Sequence, residues 1–285
     1  MRTTVFSLIL ATVRRTKELD RLFNTLAAQT FLDFEVIVVD QNIDNRLTPH
    51  LERASSLGIV VKHIKHHPPN LAAARNAGIE IATGEWLGFP DDDCWYDART
   101  LEKLTTCFKS SKKPAGVIIR WAEQGEPPVA VPQLSWLRSR AFRDIPVSSI
   151  TLFIQRDLFD RVGGFDPRFG VGQWFGAAEE TDLVFRILQA NALVAYEPAA
   201  KVHHSINSDQ SVADPQARFI ARCRARGTGA LYAKHGLPAW VILRGLAAPV
   251  LRPLLRGEFG TGLAHGCAIT LGRLDGLLGW KRRHQ

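Results

Sequence analysis

Two continuous apolar runs open the chain, VFSLILA at 5–11 and EVIVVD at 35–40. Between them TKELDRLFNTLAAQT places Leu19, Leu22, Phe23 and Leu26 at helical spacing. Uninterrupted apolar strands flanking one amphipathic helix predict a βαβ unit whose parallel sheet is covered on both faces. The pattern continues with a helix at 45–57, a strand at 59–64, a helix at 70–82 closed by Gly84 as C-cap, and a short strand EWLGF that runs into Pro90 and the triplet Asp91-Asp92-Asp93. A helix capped by Asp97 extends to Lys109. Residues 112–148 hold five prolines with weak periodicity and read as loops with short strands. ITLFIQRDLF is a strand leading into a helix. GGFDPRFG and GVGQWFGAA form a glycine-rich, flexible loop ahead of the helix AAEETDLVFRILQAN, and LVAYEP and AKVHH are short strands.

Alternating β and α elements predict an α/β chain with an open doubly wound sheet, in which ligands sit at the carboxyl ends of the strands. Thr12, Asp40 and Asp91 to Asp93 occupy three such ends. In an extended segment residues i and i+2 face the same way, so Asp91 and Asp93 are expected to converge while Asp92 faces elsewhere. Two convergent carboxylates suit a hard divalent cation that also holds phosphate oxygens, Mg²⁺ or Mn²⁺. The second acidic cluster, Glu179-Glu180-Thr181-Asp182, complements the dipole of a helix start; at the end of a loop it also offers a general base to an incoming hydroxyl. His203 and His204 end a strand, and one imidazole there is a candidate to complete the cation site, the alternative being a surface histidine pair. Arg75 is a candidate phosphate contact, and Trp174 a surface on which a sugar stacks.

Composition changes this picture in one place. Of 285 residues, 46% are hydrophobic and 22% charged, values of a packed domain that exclude a disordered, collagen-like or coiled-coil chain. The net charge of +8 belongs to the last quarter: from Arg218 onward the balance is +10, against −2 for the rest. A shift near Pro215 therefore marks a boundary between a domain at 1–215 and a basic, amphipathic helical region at 216–285. Arginines interleaved with Leu, Val and Trp there suit the surface of an anionic membrane; no nucleic-acid-binding motif is present. The four cysteines lack CxxC spacing, which argues against a disulfide framework and for a reducing compartment. The first residues lack the features of a signal peptide, and the longest apolar candidate, 237–251, is interrupted by Arg244 and two prolines, so no membrane-crossing helix is expected.

Together these segments resemble the family 2 glycosyltransferases of the GT-A fold. ILATVRR is similar to the family's opening strand and Thr-x-x-Arg turn, with Ala11 for the usual proline and Arg14 for the usual asparagine. LAAQTFLDFEVIVVDQ, NLAAARNAGIEIATGEWLGFPDDD, GGFDPRFGVGQWFGAAEETDLVFRI and KVHH follow in the family's order, with Glu180 where aspartate is usual, over roughly residues 4–206. The resemblance implies a Rossmann-like doubly wound mixed sheet carrying a C-terminal helical extension. It implies a nucleotide-diphosphate sugar donor and a glycan or lipid-linked acceptor, in polysaccharide or glycolipid assembly. Thr12 and Asp40 would line the nucleobase site, with Arg75 near the nucleotide and Asp91 and Asp92 toward the ribose. Asp93, with Asp91 and His203 or His204, would ligate Mg²⁺ or Mn²⁺ in a DxD motif. Glu180, neighboured by Glu179, would be the base of an inverting displacement. The expected location is cytoplasmic, peripheral at the inner membrane face. Two alternatives stay open: a nucleotidyltransferase-like enzyme, against which stands the lack of a glycine-rich phosphate loop after the first strand, and a non-catalytic membrane- or nucleic-acid-binding module.

Overall fold

The computed structural model describes residues 4–124, 132–144, 146–204 and 214–282. Parts of the stretch expected as loops (125–131 and 145), and 205–213 just ahead of the expected boundary, lie outside the described residues. The chain divides into two compact units.

The first unit is built on one mixed eight-stranded sheet in the order β3-β2-β1-β4-β7-β6-β8-β5. Its strands are β1 (Phe6–Thr12), β2 (Phe34–Asp40), β3 (Val60–Lys65), β4 (Trp86–Gly88), β5 (Cys94–Tyr96), β6 (Gly116–Trp121), β7 (Leu152–Gln155) and β8 (Val194–His204). The expected βαβ unit is present. β1 pairs in parallel with β2 and β4, and β2 with β3. Every residue of β1 and β2 is buried, which is why both read as unbroken apolar runs. Helix α1 (Lys17–Ala27) covers them with Leu19, Leu22, Phe23 and Leu26. Helices α2 (Thr48–Ser56), α3 (Leu71–Glu80), α4 (Thr100–Phe108), α5 (Trp136–Ser139) and α6 (Arg156–Val162) follow, and α7 (Glu179–Gln189) spans the division between the units.

Three details differ from the sequence reading. Gly84 is not a helix C-cap: α3 ends at Glu80, and a Cβ at Gly84 would lie 2.4 Å from the Ser7 backbone nitrogen, so the glycine serves close strand approach. The stretch 112–148 contains a full inner strand, β6, antiparallel to β7 and parallel to β8. LVAYEP and AKVHH form one eleven-residue strand, β8, whose pairing with β6 jumps from Ile119–Glu197 to Arg120–Lys201; the residues bulged out there include Pro198, which cannot donate to a ladder.

The second unit gathers Asn70–Ala72, Asp166–Asp182 and the C-terminal helices α8 (Pro215–Lys234), α9 (Ala239–Leu255) and α10 (Thr261–Arg282). α8 and α10 pack backbone to backbone. A Cβ at Gly229 would meet the Arg273 carbonyl at 2.0 Å, one at Gly276 the Arg226 carbonyl at 2.0 Å, and one at Gly272 the Arg222 carbonyl at 2.3 Å. The glycine-rich segment is not a loose loop: Phe169 and Phe175 are buried with Ala178, Ala230, Leu231 and Trp280, and the Gly176 N–H donates to the Cys223 carbonyl. No helix among the described residues is long and apolar enough to cross a membrane.

Candidate functional site

Parallel pairing sets Thr12 beside Asp40 at the carboxyl ends of β1 and β2. β4 ends three residues before Asp91. The triplet that follows is a turn rather than an extended segment, with the Cys94 N–H donating to the Asp91 carbonyl at 3.3 Å. Its three side chains therefore part company differently from the i, i+2 expectation. Asp91 takes the Arg75 guanidinium at 2.9 Å. Asp92 accepts from Thr12 Oγ1 at 2.6 Å and from Arg15 at 2.8 Å. Asp93 takes the same Arg15 nitrogen on Oδ2 at 2.5 Å, while His204 Nε2 lies 2.9 Å from its Oδ1. Two aspartates thus share one half-exposed arginine.

The turn after β1 delivers that arginine. Arg14 sits at φ +69°, a left-handed conformation that asparagine tolerates better, and its N–H donates to Asn42 Oδ1 at 2.6 Å. Arg75 is 1% exposed and stands behind Asp91, whose own side chain keeps 35% of its surface. Burial pushes the Asp91 carboxyl up; Arg75 opposes this and the charges of Asp93 and Asp92 add to it. Burial likewise raises Asp92 against the bonds from Thr12 and Arg15. Burial would raise Asp93 too, but His204 and Arg15 hold it below the ordinary carboxylate value.

Asp40 is wholly buried, and both of its oxygens are occupied. Oδ1 accepts from the Asn42 N–H and Nδ2, each at 2.8 Å; Oδ2 meets Lys65 Nζ at 2.8 Å and His63 Nε2 at 3.2 Å. These bonds overcome the burial that would raise it and keep its pKa low.

The histidines separate. β5 pairs antiparallel with β8, setting Cys94 opposite His204 and Trp95 opposite His203. His203 is held between Glu123 (2.8 Å at Nδ1) and Asp97 (2.9 Å at Nε2) and stacks on Trp95. Although burial lowers its pKa, the two carboxylates raise it, favouring imidazolium. Asp97 therefore serves His203 and makes no side-chain cap for α4. His204 is the histidine that reaches Asp93. Arg21 of α1 donates to the Asp93 carbonyl at 3.0 Å and lies 3.6 Å from the centre of the Trp95 ring.

In the second unit, α7 begins at Glu179. Glu179 is buried under Gly170 and Glu180 is half-buried. Ala178, just before them, holds φ +82°. Asp182, with no exposed surface, meets Lys234 Nζ at 2.7 Å and His235 Nε2 at 2.9 Å. Lys234 also reaches Asp166 at 2.7 Å, and Arg168 meets the same carboxylate at 2.6 Å. Trp174 lies edge-on to Phe175 with the Arg226 guanidinium over its ring, and a Cβ at Gly279 would come within 2.6 Å of it.

The family model described as glycosyl transferase family 2 matches residues 7–158. The chain belongs to that family. A pre-mycofactocin glycosyltransferase of Mycobacterium tuberculosis is 31% identical over 155 residues, 50% of this chain and 32% of that protein. A PGL/p-HBAD biosynthesis glycosyltransferase of Mycobacterium bovis is 26% identical over 179 residues, 59% of this chain and 65% of that protein. This family 2 chain thus spans about a third of the first relative's length. Among solved structures, the mannosyltransferase PcManGT of Pyrobaculum calidifontis, in complex with GDP-Man and Mn²⁺, superposes with a TM-score of 0.69 at 15% identity over 96% of this chain and 87% of that one. S. aureus TarS 1-349, in complex with UDP-GlcNAc, gives 0.59 at 16% over 95% and 92%. These likenesses establish the GT-A fold.

Among the described residues no three His, Cys, Asp or Glu side chains form a ready cage. A hard cation that keeps waters and substrate phosphates needs only one or two protein ligands. The Asp93 carboxylate beside the His204 imidazole fits that requirement, with Asp91 as a neighbouring charge. Arg15, Arg21 and Glu123 carried no site role in the sequence reading, and Asp97 figured there only as a helix cap. Arg15 alone carried a signal, as the last residue of the Thr-x-x-Arg turn.

Proposed function

We propose that this chain is an inverting glycosyltransferase that moves a sugar from a nucleoside-diphosphate donor to a hydroxyl of a glycan or lipid-linked acceptor, in polysaccharide or glycolipid assembly. The reading rests chiefly on the Asp93–His204 pair beside a carboxylate-rich turn at the strand ends. It draws support from the donor complexes of the two fold relatives, GDP-Man with Mn²⁺ in one and UDP-GlcNAc in the other.

Thr12 and Asp40 sit at the nucleobase end, where Asn42, His63 and Lys65 complete the polar rim. Asp91 and Asp92 face the ribose, Asp91 being positioned by buried Arg75. Asp93 and His204, with Asp91 close by, would hold Mg²⁺ or Mn²⁺. Such an ion, when bound, stabilises the negative charge of the leaving diphosphate as a Lewis acid. His203, locked between Glu123 and Asp97, holds the end of β8 in place. Glu180 accepts the proton of the attacking hydroxyl, with Glu179 packed beside it. A base acting directly on the acceptor hydroxyl gives a single displacement with inversion. The basic C-terminal helices bring the enzyme to the cytoplasmic face of a membrane, where a lipid-linked acceptor is presented.

Glu180→Gln tests the central role. Turnover should fall roughly 10²–10⁴-fold, the contribution typical of general-base catalysis, with nucleotide affinity retained. Near wild-type turnover removes Glu180 from that role.

A further inference from the structure

Helix α9 is inside out for a surface helix. Val241 is its one buried side chain. Trp240, Leu243, Ala247, Leu251 and Leu254, spaced by three or four residues, fall on a single stripe, and that stripe is exposed. Leu243 is 66% exposed, Leu255 86%, and Phe259, in the connection to α10, 71%. A surface helix ordinarily turns such a stripe inward.

The surroundings identify what would cover it. Arg244 lies at the stripe's edge with its guanidinium 5.3 Å from the centre of the Trp240 ring, and Arg252 and Arg256 are exposed farther along. Glu258 is the one acidic residue between Ala239 and Gly260, and the chain from Arg218 onward carries a balance of +10. Basic side chains around an apolar stripe complement anionic headgroups over acyl chains, and a tryptophan at the start of the helix is an interfacial anchor. A second copy of this chain would bring the same excess of positive charge against it. Seventeen residues containing two arginines and two prolines lie on a bilayer rather than cross it.

We infer that α9 is the membrane-contacting element of this protein, laying its Trp240–Leu255 stripe into the interface of an anionic bilayer. This rests on the peripheral reading above and names the surface that performs it.

The test uses the full chain and sedimenting vesicles of phosphatidylcholine with and without phosphatidylglycerol. The wild type should bind the anionic vesicles more tightly, and the difference should shrink in high salt. The triple variant Leu243→Ser, Leu251→Ser, Leu255→Ser changes only exposed positions. It should bind at least ~10-fold more weakly, since each large apolar side chain contributes appreciably to partitioning, while donor hydrolysis in solution is unchanged. If wild type and variant bind vesicles equally, another surface makes the contact and the inference fails while the peripheral reading stands. If the wild type does not bind at all, the peripheral reading fails as well. A wild-type dimer that ignores vesicles and is lost in the variant would show instead that the stripe pairs two copies.

Discussion

The two acidic clusters are built from the same side chains and are opposite in character. In the second unit Asp166 and Asp182 are neutralised from several sides by Lys234, Arg168 and His235. Against the burial that would raise it, Arg168 and Lys234 hold the Asp166 carboxyl far below its ordinary value. In the first unit three consecutive aspartates draw on Arg75, a shared Arg15, Thr12 and His204, and burial still pushes Asp91 and Asp92 upward. Excess negative charge left at a strand end is costly for a fold and useful for a site that receives a cation and a charged donor. Backbone strain, by contrast, is common to both: Arg14 beside the aspartate turn and Ala178 ahead of α7 each hold a left-handed conformation that strains a non-glycine residue.

The largest effect should come from the structural cluster. Lys234→Met leaves the fully buried Asp182 with His235 and should cost about 3–5 kcal/mol in urea unfolding, the usual penalty for breaking a buried ion pair. Asp92→Asn, whose partner Arg15 is half-exposed, should change stability by less than ~1 kcal/mol. A reversed order would break the comparison.

Asp166→Asn sharpens it through pH. A depressed folded pKa stabilises the protein above the unfolded value, and this contribution fades as pH falls through the folded one. The stability gap between wild type and variant should be about 1.5–3 kcal/mol at neutral pH, the worth of hydrogen bonds to a charged group. It should shrink once pH drops below about 3.9, the unfolded aspartate value; a gap that widens in acid would contradict the assignment. A small effect of stabilising sign is expected at Arg14→Asn, up to ~1 kcal/mol in thermal unfolding, by relieving the left-handed turn.

β1, β2 and β4 were legible because buried parallel strands read as apolar runs, and the half-exposed edge strand β3 followed from the alternation; the strand ends then set Thr12, Asp40 and the aspartates together. The other half was harder. Three residues of β5 between an acidic turn and a helix give no period; only their register with β8 makes a strand of them and carries His204 to Asp93. Pro198 made β8 look like two pieces, and prolines on either side of GVIIRW hid β6. Asp97 read as a helix cap because caps and ion pairs favour the same side chain, and its histidine partner lies 106 positions away. The tail's arginines signal charge, whereas its packing signal is Gly229, Gly272 and Gly276, which let α8 and α10 touch.

In the proposed function, Asp93 and His204 are where cation and diphosphate are held. Calorimetric titration of UDP and GDP into the wild type, Asp93→Asn and His204→Ala, each with and without Mn²⁺, tests this directly. The prediction is tight binding of at least one nucleotide that requires Mn²⁺ in the wild type and is weakened by at least ~10-fold in both variants. Binding that ignores the cation and survives both substitutions would contradict it.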